Sequence, residues 1–201
     1  VFMESCRRKA TEFTPIWLLR QAGRYMKEYR DIRSKVGFLE LCKTPSLASE
    51  VTVTAAEKIG ADAAIIFSDI LLLAEPFGFQ LEFSPQEGPV IRNSFRSETK
   101  LKTFSLESLR PVLEAIRLTR SALKSTTPLI GFAGAPFTVA SYLIEGGRSK
   151  NFERTKRLMR DDFEAWTRLL SAISHATVEY LTAQVSAGAD AIQLFDTWVG
   201  C

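Results

Sequence analysis

Short apolar runs recur at residues 16–19, 63–67, 129–132 and 191–195, and between them apolar residues return at helical rather than alternating spacing. A run that is apolar on both faces suits a strand of a helix-covered parallel sheet better than a half-exposed strand. Helical stretches are expected at 48–59, 106–124 and 154–187. The first opens after Thr44-Pro45 and is closed by Gly60, and Gly188 closes the last directly before the fourth apolar run. Residues 79–92 break this rhythm: two short apolar segments flank the turn-forming stretch Ser84-Pro85-Gln86-Glu87-Gly88-Pro89, the pattern of a small hairpin insertion. Alternating strands and helices predict an α/β fold around a parallel sheet, and the pattern alone leaves open whether that sheet is doubly wound or closed into a barrel.

Composition narrows the class. The chain has 201 residues, 46% of them hydrophobic and 24% charged, enough to bury one sizeable core and unlike a disordered segment. The longest apolar stretch, 63–74, contains Ser68 and Asp69 and is too short to cross a bilayer, so no membrane span is expected. Cys6, Cys42 and Cys201 are odd in number and scattered, which is neither a disulfide framework nor a metal-ligand spacing and fits a reducing compartment. The single histidine, His175, falls beside the apolar stripe Phe163, Trp166, Leu170, Ile173, Thr177 and Tyr180 and is expected on an exposed helix face; no metal site is expected.

Net charge is only +3, yet from Arg7 to Lys35 there are nine Lys or Arg against Glu12, Glu28 and Asp31. Such a bias can steer a polyanionic ligand, serve nucleic acid, or merely be a solvated face. Nucleic acid is not expected, because these basic residues are not interleaved with stacking aromatics in a recognised binding motif.

The first apolar run ends in Arg20-Gln21-Ala22-Gly23-Arg24. Two guanidinium groups four residues apart can each grip a carboxylate or phosphate with parallel hydrogen bonds, with Gly23 easing the backbone turn between them. Pairing of Arg20 and Arg24 with internal carboxylates is an equally good reading of these residues alone. Asp69 stands at the C-terminal end of the second run among apolar neighbours, where a carboxylate needs compensation. It could cap the next helix or serve as a functional anion. Tyr142 follows a Gly-Ala-Pro loop and could reach a cleft or simply pack. Gly131 and Gly134 lack dinucleotide or phosphate-loop spacing and suggest close backbone approach instead.

Three segments nevertheless resemble, in order, the signatures of one family. Arg20-Gln21-Ala22-Gly23-Arg24 after Pro15-Ile16-Trp17, then Ile66-Phe67-Ser68-Asp69-Ile70-Leu71, then residues 131–146 from Gly131-Phe132-Ala133-Gly134-Ala135-Pro136 to Tyr142-Leu143-Ile144-Glu145-Gly146 are similar to the uroporphyrinogen decarboxylase family, and the resemblance runs from about Phe2 to Cys201. It implies a (β/α)8 TIM barrel, of which residues 1–201 would be a single, partial N-terminal portion holding about four core strands. Open sheet edges and exposed apolar surface would follow.

The resemblance also implies a lyase of haem and chlorophyll biosynthesis that works without a cofactor or metal in the cytoplasm. It decarboxylates the four acetate side chains of uroporphyrinogen III to give coproporphyrinogen III, and the full-length protein would be a homodimer. Asp69 and Arg20 are the catalytic residues so implied. Arg20, Gln21, Ala22, Gly23, Arg24, Phe67, Asp69, Tyr142, Phe195 and Thr197 would bind substrate. Asp69 would accept hydrogen bonds from the pyrrole N–H groups. Arg20 is the proton donor by analogy, although a guanidinium with a pKa above ~12 is a poor acid. Thr197 replaces the family's serine and keeps its hydroxyl, Lys27 and Leu19 replace a frequent proline and methionine, and the family's C-terminal histidine has no counterpart. A zinc-dependent methyltransferase of the same superfamily is disfavoured by the lack of candidate ligands. A catalytically silent tetrapyrrole-binding or interaction subunit is the alternative.

Overall fold

A computed structural model of the protein describes residues 1–84 and 86–200. Cys201 and Pro85 of the expected hairpin turn lie outside the described residues. Helices are α1 Phe2–Cys6, α2 Lys27–Arg33, α3 Phe38–Lys43, α4 Pro45–Ile59, α5 Arg110–Ala122, α6 Pro136–Glu145, α7 Glu153–Asp161 and α8 Phe163–Ala187. Strands are β1 Ala64–Ile65, β2 Leu81–Ser84, β3 Gly88–Ile91, β4 Leu129–Gly134 and β5 Ala191–Phe195, and 3-10 turns cover Ile70–Phe77 and Leu106–Leu109. One sheet has the order β1-β4-β5, with β1 and β4 parallel and Ala64 and Ile65 opposite Leu129 and Ile130. Strands follow one another across this sheet in chain order, as they do in a barrel and in one half of a doubly wound sheet.

By internal contacts the chain forms two compact units. The first comprises Val1–Ser68, Arg110–Phe132 and Leu181–Gln193. Its core is built by α4 against α5, which bury Ala48, Val51, Ala55 and Ala56 on one helix and Val112, Leu113, Ala115 and Ile116 on the other. Pro45 occupies the first turn of α4, where a missing N–H is harmless, so the helix starts three residues before the apolar periodicity does. Gly60 ends it at φ +67, a left-handed conformation that suits glycine. Asp190 fastens the approach to β5: its Oδ2 accepts from Arg120 Nη1 and from Leu129 N, both at 2.8 Å.

The second unit comprises Asp69–Leu109, Ala133–Tyr180 and Leu194–Cys201. Its hairpin matches the expected insertion, with Leu81 opposite Ile91 and Ser84 opposite Gly88. Gly88 turns the chain at φ +81. An ion pair of 2.8 Å joins Arg92 and Glu82 on the exposed face.

Two expectations fail. Residues 16–19 do not form a strand, and Ile16, Leu18 and Leu19 are exposed rather than buried. Ile16 ties the segment to the chain before β1: its N–H donates to Asp62 Oδ2 at 2.7 Å and its carbonyl accepts from Asp62 N at 2.9 Å. The groups on that edge of β1 are satisfied by a side chain instead. Gln21 Nε2 donates to Ala63 O at 2.5 Å, and Gln21 Oε1 accepts from Ile65 N at 3.0 Å. The expected helix 154–187 is two helices, because Asp162 leaves helical geometry at φ -143, ψ 72. Its Oδ1 accepts from Ala165 N at 3.0 Å, so an aspartate that satisfies the first amides of α8 interrupts the periodicity. Phe163, placed on the buried stripe, is 69% exposed, and Leu169 is fully buried on the inward face. His175 is exposed, as its position beside the stripe implies.

Candidate functional site

In the first unit the arginine segment is fastened by a buried side chain. Gln21 is 2% exposed, and its carboxamide presents a donor and an acceptor to β1 in the spacing of a neighbouring strand's backbone. Residues on either side turn outward: Arg20, Arg24 and Tyr25 are exposed. The Tyr25 hydroxyl donates back to the Gln21 carbonyl, and the Arg24 carbonyl accepts from Arg30 Nη1 at 2.7 Å. Gly23 has no positive φ, yet a tight turn starts at it, its carbonyl accepting from Met26 N at 2.9 Å. A Cβ there would lie 3.2 Å from the Tyr25 ring, so the missing side chain admits that ring.

Charge sorts itself in this region. Lys27 pairs with Asp31 at 2.6 Å, and Lys58 pairs with Glu28. The hydrogen bond from Lys27 holds the Asp31 carboxyl below its usual range, and the one from Lys58 does the same for Glu28. Arg20 and Arg24 have neither an ion-pair partner nor a side-chain hydrogen bond among the described residues. Their pairing with internal carboxylates is therefore not what the structure contains. Behind Ala22 and Met26 lies a cavity of about 60 Å³, room for water and not for a macrocycle. Phe67 is half-buried, with its ring 5.7 Å from that of Tyr29 and 5.9 Å from that of Phe38, and its N–H donates to Thr52 Oγ1 at 2.9 Å.

Asp69 opens the second unit. Its Oδ1 accepts from Leu71 N at 2.8 Å, which caps the 3-10 turn Ile70–Phe77 and fixes the carboxylate at the end of the segment that follows β1. Gly134 lets that turn come close: a Cβ on it would stand 2.7 Å from Val139 Cγ2 and 3.1 Å from Ile70 Cβ. Gly131, in the first unit, is a close-approach site too, since a Cβ would fall 2.4 Å from Gln184 Oε1. Both glycines thus serve the backbone proximity their spacing suggests.

The same unit ties Tyr142 to the loop after β5. The Tyr142 ring stacks on that of Trp198 with centroids 3.8 Å apart and 26° between planes, and Phe152 meets Trp198 edge-on at 4.7 Å. Thr138, one helical turn before Tyr142, is 1% exposed; its hydroxyl donates to Asp196 Oδ1 at 2.8 Å and accepts from Trp198 N at 3.2 Å. Thr197, between those two anchor points, is exposed, and Phe195 is half-buried with its carbonyl accepting from Ala135 N at 2.9 Å. Thr138 and Trp198 are absent from the sequence-derived candidates. The i, i+4 spacing of Thr138 and Tyr142 was the available signal, but the partners of that helix face lie 58 and 60 residues away.

The family profile described as uroporphyrinogen decarboxylase (URO-D) matches residues 1–201. The chain belongs to the uroporphyrinogen decarboxylase family. It is 54% identical over 203 residues to the uroporphyrinogen decarboxylase of Carboxydothermus hydrogenoformans, covering 99% of this chain and 58% of that protein. The enzyme of the same name from Koribacter versatilis is 49% identical, with 100% and 58% covered. The chain thus spans a little under three fifths of the length of these curated relatives. Among solved structures, a methyltransferase from Methanosarcina mazei superposes with a TM-score of 0.76 at 21% identity, covering 97% of this chain and 57% of that one. At that identity the likeness concerns the fold alone, and it agrees with an α/β chain that forms part of a barrel.

Among the described residues no group of three or more His, Cys, Asp or Glu side chains could hold a metal ion, and no helix is long and apolar enough to cross a membrane.

Proposed function

We propose that this chain supplies the anion-gripping and ring-stabilising residues of a decarboxylase that converts uroporphyrinogen III to coproporphyrinogen III, as a cytoplasmic homodimer in its full-length form. The observation that carries this reading is the pair Arg20 and Arg24, exposed and unpartnered among the described residues on a segment anchored by buried Gln21, while the neighbouring carboxylates Glu28 and Asp31 are already neutralised. Two such guanidiniums suit a substrate bearing several carboxylates. Family membership and the names of the curated relatives support the choice of tetrapyrrole.

Each acetate is lost in balanced steps. A proton adds to the ring α-carbon next to the carbon that bears the acetate arm, and the positive charge spreads over that arm-bearing carbon and the ring nitrogen. The bond to the carboxylate breaks, carbon dioxide departs, and the electron pair neutralises the ring as an exocyclic methylene. A proton on that methylene makes the methyl group, and loss of the ring proton restores the pyrrole. A fixed carboxylate beside the pyrrole N–H groups stabilises the cation as it forms, the role assigned to Asp69. Arg20 and Arg24, with the backbone of Gln21, Ala22 and Gly23, hold substrate carboxylates. Tyr142 and Thr197 orient the macrocycle, with Phe67 and Phe195 as apolar walls. Arg20, or a water it positions, delivers the proton.

The test is an anaerobic assay with chemically reduced uroporphyrin on the protein extended to the full length of its relatives. Coproporphyrinogen and four equivalents of carbon dioxide are expected. Porphyrin binding without carbon dioxide release would replace this reading with that of a silent binding subunit.

A further inference from the structure

Thr138 stands outside every residue set derived above for substrate, yet its buried hydroxyl reaches both sides of Thr197. It donates to the Asp196 carboxylate at 2.8 Å and accepts from the Trp198 amide at 3.2 Å. Those two residues flank Thr197, so its stretch of backbone is held between two fixed points while the residue remains exposed. Four residues along the same helix, Tyr142 stacks on the Trp198 ring at 3.8 Å. Residues four apart lie on one helix face, so α6 presents the hydroxyl and the phenol ring side by side to one short loop.

We propose that Thr138 is a positioning residue for the decarboxylation, one that sets the Thr197 hydroxyl and the Tyr142 ring in a common register. The proposal rests on the assignment of Tyr142 and Thr197 to the substrate. Asp196 alone could not do this, because an exposed carboxylate is free to sample solvent. A hydroxyl that is 1% exposed has no water to exchange with, and losing it would leave the Trp198 amide without this acceptor. Small displacements of positioning groups slow a reaction more than they weaken binding, since the near-attack geometry is lost first.

Two substitutions separate the hydroxyl from its volume. Thr138→Val keeps the shape and removes both hydrogen bonds; Thr138→Ser keeps the hydroxyl and removes a methyl group. In the full-length protein, Thr138→Val is expected to lower kcat about 10- to 100-fold with a smaller change in KM. It should also release partly decarboxylated porphyrinogens as the four steps fall out of pace. Thr138→Ser is expected to retain both rate and product distribution. Asp196→Ala, at an exposed position that keeps the fold intact, should show part of the same loss, and Thr138→Val/Asp196→Ala should be no worse than Thr138→Val alone. A packing role reverses the first pair, with valine normal and serine impaired, and overturns the proposal. So do strictly additive effects of Thr138→Val and Asp196→Ala, or unchanged kcat and intermediates in the folded valine variant. If Thr138→Val does not fold, the serine and Asp196→Ala variants decide: serine at the wild-type rate with Asp196→Ala releasing intermediates supports the proposal, and Asp196→Ala at the wild-type rate overturns it. Absence of turnover in the unmutated protein would instead strike the reading on which the proposal depends.

Discussion

Gln21 and Gln184 do the same local chemistry in two settings. Each is buried, and each offers its carboxamide to strand backbone: Gln21 to Ala63 and Ile65 beside β1, Gln184 to the N–H and carbonyl of Phe132 in β4, both at 2.8 Å. Gln184 comes from a regular helix, is fully buried, and presses against a glycine. Gln21 comes from an irregular segment in which Leu19, Arg20, Arg24 and Tyr25 are all exposed. A fastening enclosed by core can only stabilise. One surrounded by exposed, unpaired guanidiniums also fixes the place from which those charges reach out.

The contrast can be broken most forcefully at Gly131. Gly131→Ala would put a Cβ 2.4 Å from Gln184 Oε1, so the carboxamide must leave Phe132 or the strand must move. A loss of roughly 3–5 kcal/mol is expected, from overpacking together with unpaired backbone groups, and urea unfolding of the full-length protein would measure it. Next come the glutamines themselves. Gln184→Leu should destabilise by roughly 2–4 kcal/mol and leave the KM of the folded fraction unchanged. Gln21→Leu should destabilise less, by roughly 1–3 kcal/mol, and raise KM for the polyanionic substrate several-fold as Arg20 and Arg24 lose their anchor. Equal KM values for the two variants would erase the distinction drawn between them.

The smallest effect is expected at Asp162. The Ser97 hydroxyl, then the Ala165 N–H, lower its carboxyl below the usual aspartate value. A depressed folded-state value means a stabilising contribution that is present above the unfolded value and lost as pH falls through the folded one. Asp162→Ala should therefore reduce Tm slightly at pH 7, and the gap should close in the acid range below pH ~4. A gap that persists at low pH would remove the charge from the explanation.

Much of the fold was legible because its signals are local. Gly60 and Gly188 stop helices, Thr44-Pro45 starts one, and the run 191–195 is a strand in the middle of its own apolarity. Residues 16–19 misled because apolarity reports burial in general. It did not reveal that a side-chain amide two residues past the end of the run would take the place of a strand beside β1. Asp162 misled in the opposite way: a polar residue inside a long helical period reads as an exposed position until its cap geometry is seen. At the candidate site, Asp69 was identifiable as a carboxylate in apolar surroundings, and the structure shows the capping bond that its position also suggested. Thr138 was invisible, since its meaning depends on Asp196 and Trp198, which sequence spacing cannot bring near.

Asp69 is where the assigned chemistry meets the fold most directly, because its removal should separate two effects of very different size. Asp69→Ala in the full-length protein loses a cap to the 3-10 turn, a loss of about 1 kcal/mol in stability, together with the anion proposed to stabilise the protonated pyrrole. Removing one preorganised electrostatic group of this kind typically lowers turnover on the order of 100- to 1000-fold. The decisive measurement is carbon dioxide release from reduced uroporphyrin by the wild-type and Asp69→Ala proteins, normalised to the folded fraction at a temperature well below Tm. A fall of that order in a stably folded variant is the predicted result. Near-normal turnover would contradict the assignment of Asp69 and, with it, the proposed mechanism.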